Sequence, residues 1–256
     1  MESPEPDRRT LILGATSLAT GSFFAGCLGG SDEPAPNGTT DSADDEEPTE
    51  PDESTDTNES TDTDGDDRES TESIDGLTFG SDDASCGIVF VPQINMDRTS
   101  WTDQAKALAG GERFGLAIDP EDDRPTAIRN AIDSLRSTVG VDHVVLVGAS
   151  IGAEAAVVAA AEASDDVDGL VALSPGGGTG RASELRARSL FVVAENDDDR
   201  FVETTQILHE NAPDPTRLEV LPGGAHGQRL FDTDRGDALQ NWIDELIETV
   251  CTANDG

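Results

Sequence analysis

Between residues 86 and 250, short continuous apolar runs alternate with longer stretches whose apolar residues recur at helical spacing. The runs are rich in Val, Ile, Leu and Phe, which is typical of strands buried on both faces of a sheet. Strands are predicted at 86–91, 114–118, 143–147, 169–173, 190–193 and 218–221. Helices are predicted at 102–109, 124–138, 152–163, 201–210 and 238–250. This alternation predicts an α/β fold with a doubly wound, mostly parallel sheet.

The first 27 residues have the pattern of an export signal. Arg8 and Arg9 precede an apolar run that ends at Cys27. The run is shorter than the roughly 20 residues that a membrane span needs. The arginine pair resembles a twin-arginine signal, and Phe24-Ala25-Gly26-Cys27 resembles a lipobox, which implies cleavage before Cys27 and a lipid on its side chain. We therefore expect a protein anchored by lipid to the outer face of the cell membrane, or a secreted protein if Cys27 carries no lipid.

Residues 28–78 differ in composition from the rest of the chain. They include nineteen acidic residues and a single basic one, Arg68, among many Ser, Thr, Pro and Gly. With so few large apolar side chains, the segment cannot offset the entropy cost of ordering, so it is predicted to be disordered. A flexible chain of this length reaches roughly 40 Å. The segment is therefore predicted to be an acidic linker that tethers a folded domain at residues 79–256.

The charge of the chain narrows its possible partners. Its 256 residues include 54 acidic and 16 basic ones, a net charge of −38, and Lys106 is the only Lys. Because nucleic-acid binding depends on cations that neutralise phosphates, this composition excludes that function. It also disfavours docking on anionic lipid, so a lipid anchor is the only membrane attachment expected. Residues 79–256 alone have a net charge of −19, which predicts an extreme halophile that needs salt to screen its self-repulsion.

A turn of small residues follows the third predicted strand and leads into a predicted helix. Its sequence is Gly148-Ala149-Ser150-Ile151-Gly152. A serine nucleophile on a sharp strand-to-helix turn needs small neighbours two positions away on each side, because the strand and the helix nearly touch there. Gly148 and Gly152 meet this requirement, so Ser150 is the candidate nucleophile.

A serine hydroxyl is a weak nucleophile and needs a base in contact with it. The chain has three His residues. His143 begins a predicted strand and His209 lies inside a predicted helix, so both are expected to be structural. His226 follows the last predicted strand in a loop rich in glycine. Because active sites in such folds lie beyond the carboxyl ends of the strands, His226 is the candidate base.

An acidic run after the fifth predicted strand offers the partner that would orient this base. Its carboxylates are Glu195, Asp197, Asp198 and Asp199. A carboxylate beside the imidazole would fix its tautomer and stabilise its charged form. The run by itself is equally consistent with a solvated acidic loop.

The order Ser150, acid, His226 resembles that of the α/β-hydrolase family, and the resemblance covers about residues 86–250. In that family the acid ends a Gly-Glu-x-Asp pattern, which Ala194-Glu195-Asn196-Asp197 matches apart from its first residue. The resemblance therefore implies Asp197 as the acid, with Asp199 as the alternative.

The same resemblance implies an oxyanion hole made of two backbone N–H groups. One belongs to Ile151. The other comes from the loop after the first predicted strand, where the family usually has His-Gly and this chain has Pro92 followed by Gln93 and Ile94. Ile94 or Gln93 is the expected donor. The segment between 173 and 190 is too short to form a cap domain over the site. In this respect the chain most resembles the dienelactone-hydrolase-like branch of the family, and the resemblance implies an open, shallow site.

Two further cysteines lie at the ends of the predicted domain. Cys86 begins its first strand and Cys251 follows its last helix. In an exported domain such a pair is expected to form a disulfide, and two buried thiols are the alternative. No Cys/His cluster has metal-ligand spacing and no dinucleotide glycine motif is present, so we expect no metal and no cofactor.

Two functions follow from these patterns. The first is a serine hydrolase, expected to be monomeric, that cleaves a small carboxylic ester or thioester. The alternative is a surface-anchored binding lipoprotein that keeps the fold without the chemistry. The substituted His-Gly and Ala194 favour the alternative, whereas the placement of Ser150 and His226 after strands favours the enzyme.

Overall fold

The structure is a computed structural model that describes residues 74–253 except Glu121. The predicted signal segment, Cys27 and the linker up to residue 73 lie outside the described residues.

A seven-stranded sheet forms the centre of the described chain. Its strands are β1 (Leu77–Gly80), β2 (Cys86–Val91), β3 (Arg113–Ala117), β4 (His143–Ala149), β5 (Gly169–Leu173), β6 (Arg188–Ala194) and β7 (Thr216–Leu221). The strand order is β1-β3-β2-β4-β5-β6-β7. All neighbouring pairs are parallel except β1 and β3, which are antiparallel. The six predicted strands and the mostly parallel sheet are thus confirmed.

Within the described residues, five α-helices cover the two faces of the sheet. They are α1 (Thr102–Leu108), α2 (Arg124–Ser134), α3 (Ile151–Glu162), α4 (Asp199–Asn211) and α5 (Gly236–Cys251). Helices α1 and α5 pack on one face, and α2, α3 and α4 pack on the other. Every residue of β2, β4 and β5 is buried. Burial on both faces explains why these strands read as continuous apolar runs rather than alternating ones.

Short polar caps determine where several helices begin. The Asp123 carboxylate accepts a hydrogen bond from the Thr126 N–H at the start of α2, and Asp198 accepts one from the Arg200 N–H at the start of α4. Such caps satisfy N–H groups that have no partner within the helix. Helix α2 ends four residues before the predicted end of 138, and one turn of π-helix (Leu135–Val139) follows it.

Strand β1 was missed by the sequence prediction. Its four residues alternate between half-buried and exposed, and they pair antiparallel with β3 at the edge of the sheet. Ordered structure therefore begins before residue 79, the predicted start of the domain, and Leu77 and Thr78 belong to the sheet rather than to the linker. The strand is short and adjoins the acidic segment, so it lacks the continuous apolar run that marks the other strands.

A disulfide joins the beginning of β2 to the end of α5. Cys86 and Cys251 are bonded, with their Cα atoms 5.5 Å apart and a sequence separation of 165. The bond lies at the amino ends of the strands, because Cys86 is the first residue of β2 and pairs with His143, the first residue of β4. Among residues 74–253, no helix is both long and apolar enough to cross a membrane.

Candidate active site

Ser150 occupies the turn between β4 and α3 in a strained backbone conformation. Its φ and ψ are +52° and −116°, and the residue is 6% exposed. Its N–H donates to the carbonyl of Leu173 at 2.8 Å, and its carbonyl accepts from Glu154 at 3.0 Å and Gly176 at 3.2 Å. A positive φ at a residue with a side chain persists only where the surroundings enforce it. These three hydrogen bonds tie the strained residue to β5, to α3 and to the loop after β5.

The glycines on either side of Ser150 are required by close packing. A Cβ on Gly148 would lie 2.6 Å from the Gly152 carbonyl oxygen and 2.7 Å from the Ala153 Cα. A Cβ on Gly152 would lie 2.5 Å from the carbonyl oxygens of Val91 and Pro92. The first contact lets α3 begin directly against β4. The second brings the beginning of α3 against the loop after β2, which is the loop predicted to supply an oxyanion donor.

His226 and Asp197 are hydrogen-bonded at the carboxyl edge of the sheet. The distance between His226 Nδ1 and Asp197 Oδ2 is 2.8 Å, and the Asp197 side chain is only 5% exposed. The second carboxylate oxygen of Asp197 accepts a hydrogen bond from the N–H of Asp198 at 2.8 Å. Asp199, the alternative acid, is the first residue of α4 and is exposed. The structure thus brings Asp197, and not Asp199, against the imidazole.

Backbone contacts hold the loops of Asp197 and His226 together. The Glu195 N–H donates to the Leu221 carbonyl at 2.8 Å, and the Asn196 N–H donates to the Gly223 carbonyl at 2.9 Å. A Cβ on Gly224 would lie 2.8 Å from the Asn196 carbonyl oxygen, so only glycine fits there without movement. The two loops therefore continue the pairing of β6 with β7 beyond the ends of those strands.

The other two histidines lie elsewhere in the fold. His143 begins β4 at the opposite end of the sheet, where its Nδ1 is 3.8 Å from Asp168 Oδ1. His209 lies in α4, with its Nδ1 3.4 Å from Thr216 Oγ1. His143 begins β4, and the Thr216 that His209 contacts begins β7. Both histidines therefore lie towards the amino ends of the strands, away from Ser150.

Phe201 packs on the imidazole of His226, a contact that the sequence analysis did not anticipate. The ring centroids are 4.1 Å apart, and the Arg200 guanidinium lies 4.3 Å from the Phe201 centroid. Phe201 is half-buried, and its ring is 3.9 Å from where a Cβ on Gly176 would lie. Phe201 therefore forms one side of the site next to the base. No pattern in the sequence distinguishes it from an ordinary core residue of an amphipathic helix.

The loop after β2 contains a tight turn. The Met96 N–H donates to the Gln93 carbonyl at 3.2 Å, and Asn95 takes a φ of +62°. The positive φ falls on Asn95, a residue type that tolerates it, rather than on Gln93. The Gln93 N–H donates to Gln228 Oε1 at 3.2 Å and is thus already engaged. By contrast, the N–H groups of Ile94 and Ile151 have no acceptor among residues 74–253 without Glu121.

The position of His226 relative to Ser150 follows from their neighbours. A Cβ on Gly227 would lie 3.5 Å from the Ala149 Cβ, so the residue after the base lies close to the residue before the serine. The Gly227 N–H donates to the hydroxyl oxygen of Ser174, a buried residue with a φ of +46° that follows β5. No hydrogen bond within the described chain joins the Ser150 hydroxyl to the imidazole.

A groove of about 280 Å³ opens beside Ile151, between the beginning of α2 and α3. Pro125, Ile151, Ala155 and Val158 supply its apolar part. Its charged residues are Asp122, Asp123, Arg124 and Glu154. Hydrogen bonds from the hydroxyl and the N–H of Thr126 lower the pKa of Asp123 below its ordinary value, so this carboxylate stays charged at neutral pH.

The described residues contain no group of three or more His, Cys, Asp or Glu side chains that could hold a metal ion.

Neither a family model nor a curated protein matches the chain. Several solved structures do match it. The dienelactone hydrolase of Anabaena variabilis is 20% identical, and the match covers 65% of this chain and 87% of that chain, with a TM-score of 0.57. The monoacylglycerol lipase of Paleococcus ferrophilus is 16% identical, with 67% and 97% covered and a TM-score of 0.59. The esterase domain of a Rhodothermus marinus protein is 15% identical, with 64% and 88% covered and a TM-score of 0.52. The sheet, its helices and these structural neighbours together show that the chain has the α/β-hydrolase fold.

Proposed function

We propose that this protein is a serine hydrolase that cleaves a carboxylic ester or thioester. The observation that carries the proposal is the 2.8 Å hydrogen bond between Asp197 and His226, beside the strained turn of Ser150. A carboxylate on Nδ1 leaves Nε2 of the imidazole as the proton acceptor. Serine, acid and base, in that chain order and all at the carboxyl ends of the strands, are the parts that acyl transfer requires.

In the proposed reaction the Ser150 hydroxyl oxygen attacks the substrate carbonyl carbon, while Nε2 of His226 accepts the hydroxyl proton. Asp197 stabilises the imidazolium that forms. The backbone N–H groups of Ile151 and Ile94 donate to the oxyanion of the tetrahedral intermediate. When the intermediate collapses, the bond to the alcohol or thiol breaks and the imidazolium gives its proton to the leaving group. Water then attacks the acyl-serine by the same route and releases the acid.

The unengaged N–H groups support this assignment of the oxyanion donors. Gln93 and Ile94 are both candidates from the sequence, but the Gln93 N–H already donates to Gln228. Ile94 is therefore the donor that we propose together with Ile151. A bond between the Ser150 hydroxyl and the imidazole is expected to form when substrate binds, since such bonds are often long in unliganded enzymes and tighten only in the complex.

We further propose that the groove beside Ile151 binds the apolar part of the substrate. Ile151, whose N–H is one of the proposed oxyanion donors, lines this groove, so the groove is the nearest described space for a substituent of a carbonyl held at that N–H. Ile94 and Met96, on the loop after β2, are exposed although they are large and apolar, at 58% and 39%. Exposed apolar side chains on the loop of the other proposed oxyanion donor favour an uncharged ester with an apolar chain.

The experiment that tests the proposed function is labelling with a fluorophosphonate in molar KCl. We expect a covalent adduct on Ser150 in the wild-type protein and none in Ser150→Ala, together with loss of ester hydrolysis in that variant. The binding-lipoprotein alternative predicts tight ligand binding without turnover. Hydrolysis that persists unchanged in Ser150→Ala would refute the enzyme as proposed.

The anchoring of the protein is also a proposal. The twin-arginine and lipobox patterns favour an extracellular enzyme held to the membrane through Cys27, with residues 28–73 as part of the tether. Intact-mass analysis of protein from its own cells should find a chain that begins at Cys27 and carries lipid. A chain that still begins at Met1 would contradict this.

A further inference from the structure

Two glutamine side chains join the loop after β2 to the loop that carries His226. The Gln93 N–H donates to Gln228 Oε1 at 3.2 Å, and the Gln228 N–H donates to Gln93 Oε1 at 2.9 Å. Each side chain thus accepts from the backbone of the other residue, although 135 residues separate them in sequence. We call this reciprocal arrangement the glutamine pair.

The remaining polar group of Gln228 is also engaged. Its Nε2 donates to the Ser100 hydroxyl oxygen at 2.9 Å, and the Ser100 hydroxyl donates to the Asp97 carbonyl at 2.5 Å. Gln228 is only 8% exposed. An amide buried to this extent is costly unless both of its ends are hydrogen-bonded, so its satisfied bonds define one orientation.

Each member of the glutamine pair lies within two residues of a candidate catalytic group. Gln93 precedes Ile94, the proposed oxyanion donor, and Gln228 follows His226 by two positions. Between them, Gly227 has a φ of +58°, and a Cβ there would lie 2.2 Å from Gln93 Oε1. The glycine therefore lets the Gln93 side chain reach the backbone of the histidine loop.

We propose that Gln228 is a positioning residue that sets the Ile94 N–H and the His226 imidazole in one common geometry. This inference rests on the proposed function. Acyl transfer needs the oxyanion donor and the base at fixed positions around the same carbonyl, and an error of about 1 Å in such a position can cost roughly 100-fold in rate. Direct hydrogen bonds between the two loops fix the position of the oxyanion donor relative to the base, whereas two independently anchored loops would not.

The test compares Gln228→Met with wild-type protein in ester hydrolysis at molar KCl. Methionine keeps the length of the side chain but makes none of its hydrogen bonds. We expect kcat to fall about 100-fold with KM changed less than about threefold. The affinity for a trifluoromethyl ketone, which forms a tetrahedral adduct on the serine, should fall by the same factor as kcat. The matched control is Gln206→Met, an exposed position on α4, which should leave all three quantities unchanged.

A double-mutant cycle separates positioning from general destabilisation. If Gln93 and Gln228 act as one unit, the kcat of Gln93→Met/Gln228→Met should be close to that of Gln228→Met alone. Should Gln228→Met fail to fold, Ser100→Ala removes only the acceptor of Nε2 and should lower kcat by a smaller factor. In either variant, an unchanged kcat, or a fall in kcat that merely follows the fraction unfolded, would overturn the inference. A wild-type protein whose Ser150 stays unlabelled by fluorophosphonate would instead overturn the proposed function and the inference with it.

Discussion

At the scale of single residues, the candidate site depends on one strained and one tightly packed backbone position. Ser150 has a φ of +52°, and the beginning of α3 passes so close to the loop after β2 that a Cβ on Gly152 would overlap two carbonyl oxygens. The atoms in contact are backbone atoms at the end of a central strand, which cannot rotate away as a flexible side chain would. A small change at Gly152 should therefore affect both stability and the loop that carries Ile94.

Gly152→Ala is expected to lower the free energy of unfolding by about 1–3 kcal/mol, the usual cost of overpacking a close contact. It should also lower kcat, because the loop that carries Ile94 must move to make room. Gly180→Ala is the matched control, since a Cβ there would have no neighbour within 4 Å. Denaturant unfolding and ester hydrolysis of both variants measure the two effects. Equal behaviour of the two variants would show that the contact is not as tight as described.

The acid can be identified by a second pair of variants. Asp197→Asn keeps the size of the side chain but cannot hold the imidazole in the required tautomer or stabilise its charge, so we expect kcat to fall by roughly 10³–10⁴. Asp199→Asn removes the same charge from an exposed position and should leave kcat within about twofold. The measurement is kcat for one ester substrate at fixed salt. The reverse order of effects would make Asp199 the acid.

At the scale of elements, each candidate catalytic group follows the carboxyl end of a parallel strand. Ser150 follows β4, Asp197 follows β6 and His226 follows β7. Parallel strands bring these ends to one edge, so residues far apart in sequence meet without any special contact between them. The disulfide between Cys86 and Cys251 lies at the amino ends of the strands, where it joins β2 to α5. The stabilising disulfide and the candidate catalytic residues thus lie at opposite ends of the strands.

Removing the disulfide should lower stability with little effect on the candidate site. The bond closes a loop of 165 residues, so Cys86→Ala/Cys251→Ala should cost about 2–5 kcal/mol in the free energy of unfolding. Below its melting temperature the variant should keep its kcat, because the disulfide lies at the amino ends of the strands, whereas the candidate site lies at their carboxyl ends. Denaturant unfolding in molar KCl gives the first quantity and ester hydrolysis the second. Alkylation of both thiols in unreduced wild-type protein would show that the bond does not form.

The groove between α2 and α3 gives a prediction about substrate preference. Val158 lines its apolar part, and Val158→Phe should fill part of the groove. We expect kcat/KM to fall about tenfold or more for esters of longer apolar chains and little for acetate, since only the longer chain must enter the groove. Val220→Phe, at an exposed position on β7, is the control. An equal loss across all chain lengths would place the apolar substituent elsewhere.

At the scale of the whole molecule, the main feature is the surplus of acidic over basic side chains. Residues 79–256 include 32 acidic and 13 basic residues, so acidic side chains remain in surplus even where arginines are paired. Arg136 faces Asp166 and Asp168, and Arg181 faces Glu162 and Glu184, at the protein surface. Exposed ion pairs of this kind each contribute little. They cannot offset the mutual repulsion of the unpaired carboxylates, which salt would screen.

The melting temperature is therefore expected to rise between dilute buffer and molar KCl. At about 1 M salt the Debye length is only about 3 Å, so most of the repulsion between surface carboxylates is removed. Sucrose is the control, because it favours the folded state through exclusion from the surface but does not screen charge. Differential scanning calorimetry should show a larger rise with KCl than with sucrose. A melting temperature indifferent to KCl would contradict the proposed halophilic adaptation.

Much of the fold could be predicted from sequence because its signal is local. Strands buried on both faces require continuous apolar runs, and all six strands predicted from such runs are present. Ser150 and His226 could be proposed for the same reason, since each follows a strand and has the small or glycine neighbours that its turn requires. Strand β1 was missed because an edge strand with one exposed face needs no such run.

Tertiary structure decided the remaining features. The acidic run after β6 does not by itself single out one carboxylate, and only the resemblance to Gly-Glu-x-Asp favours Asp197. In the structure Asp198 caps α4, so Asp199 already belongs to the exposed first turn of the helix while Asp197 faces the imidazole. The contact of Phe201 with His226 and the pairing of Gln93 with Gln228 likewise leave no local pattern. Hydrophobic periodicity records which face of an element is buried, whereas a hydrogen bond between loops 135 residues apart exists only once the sheet has brought those loops together.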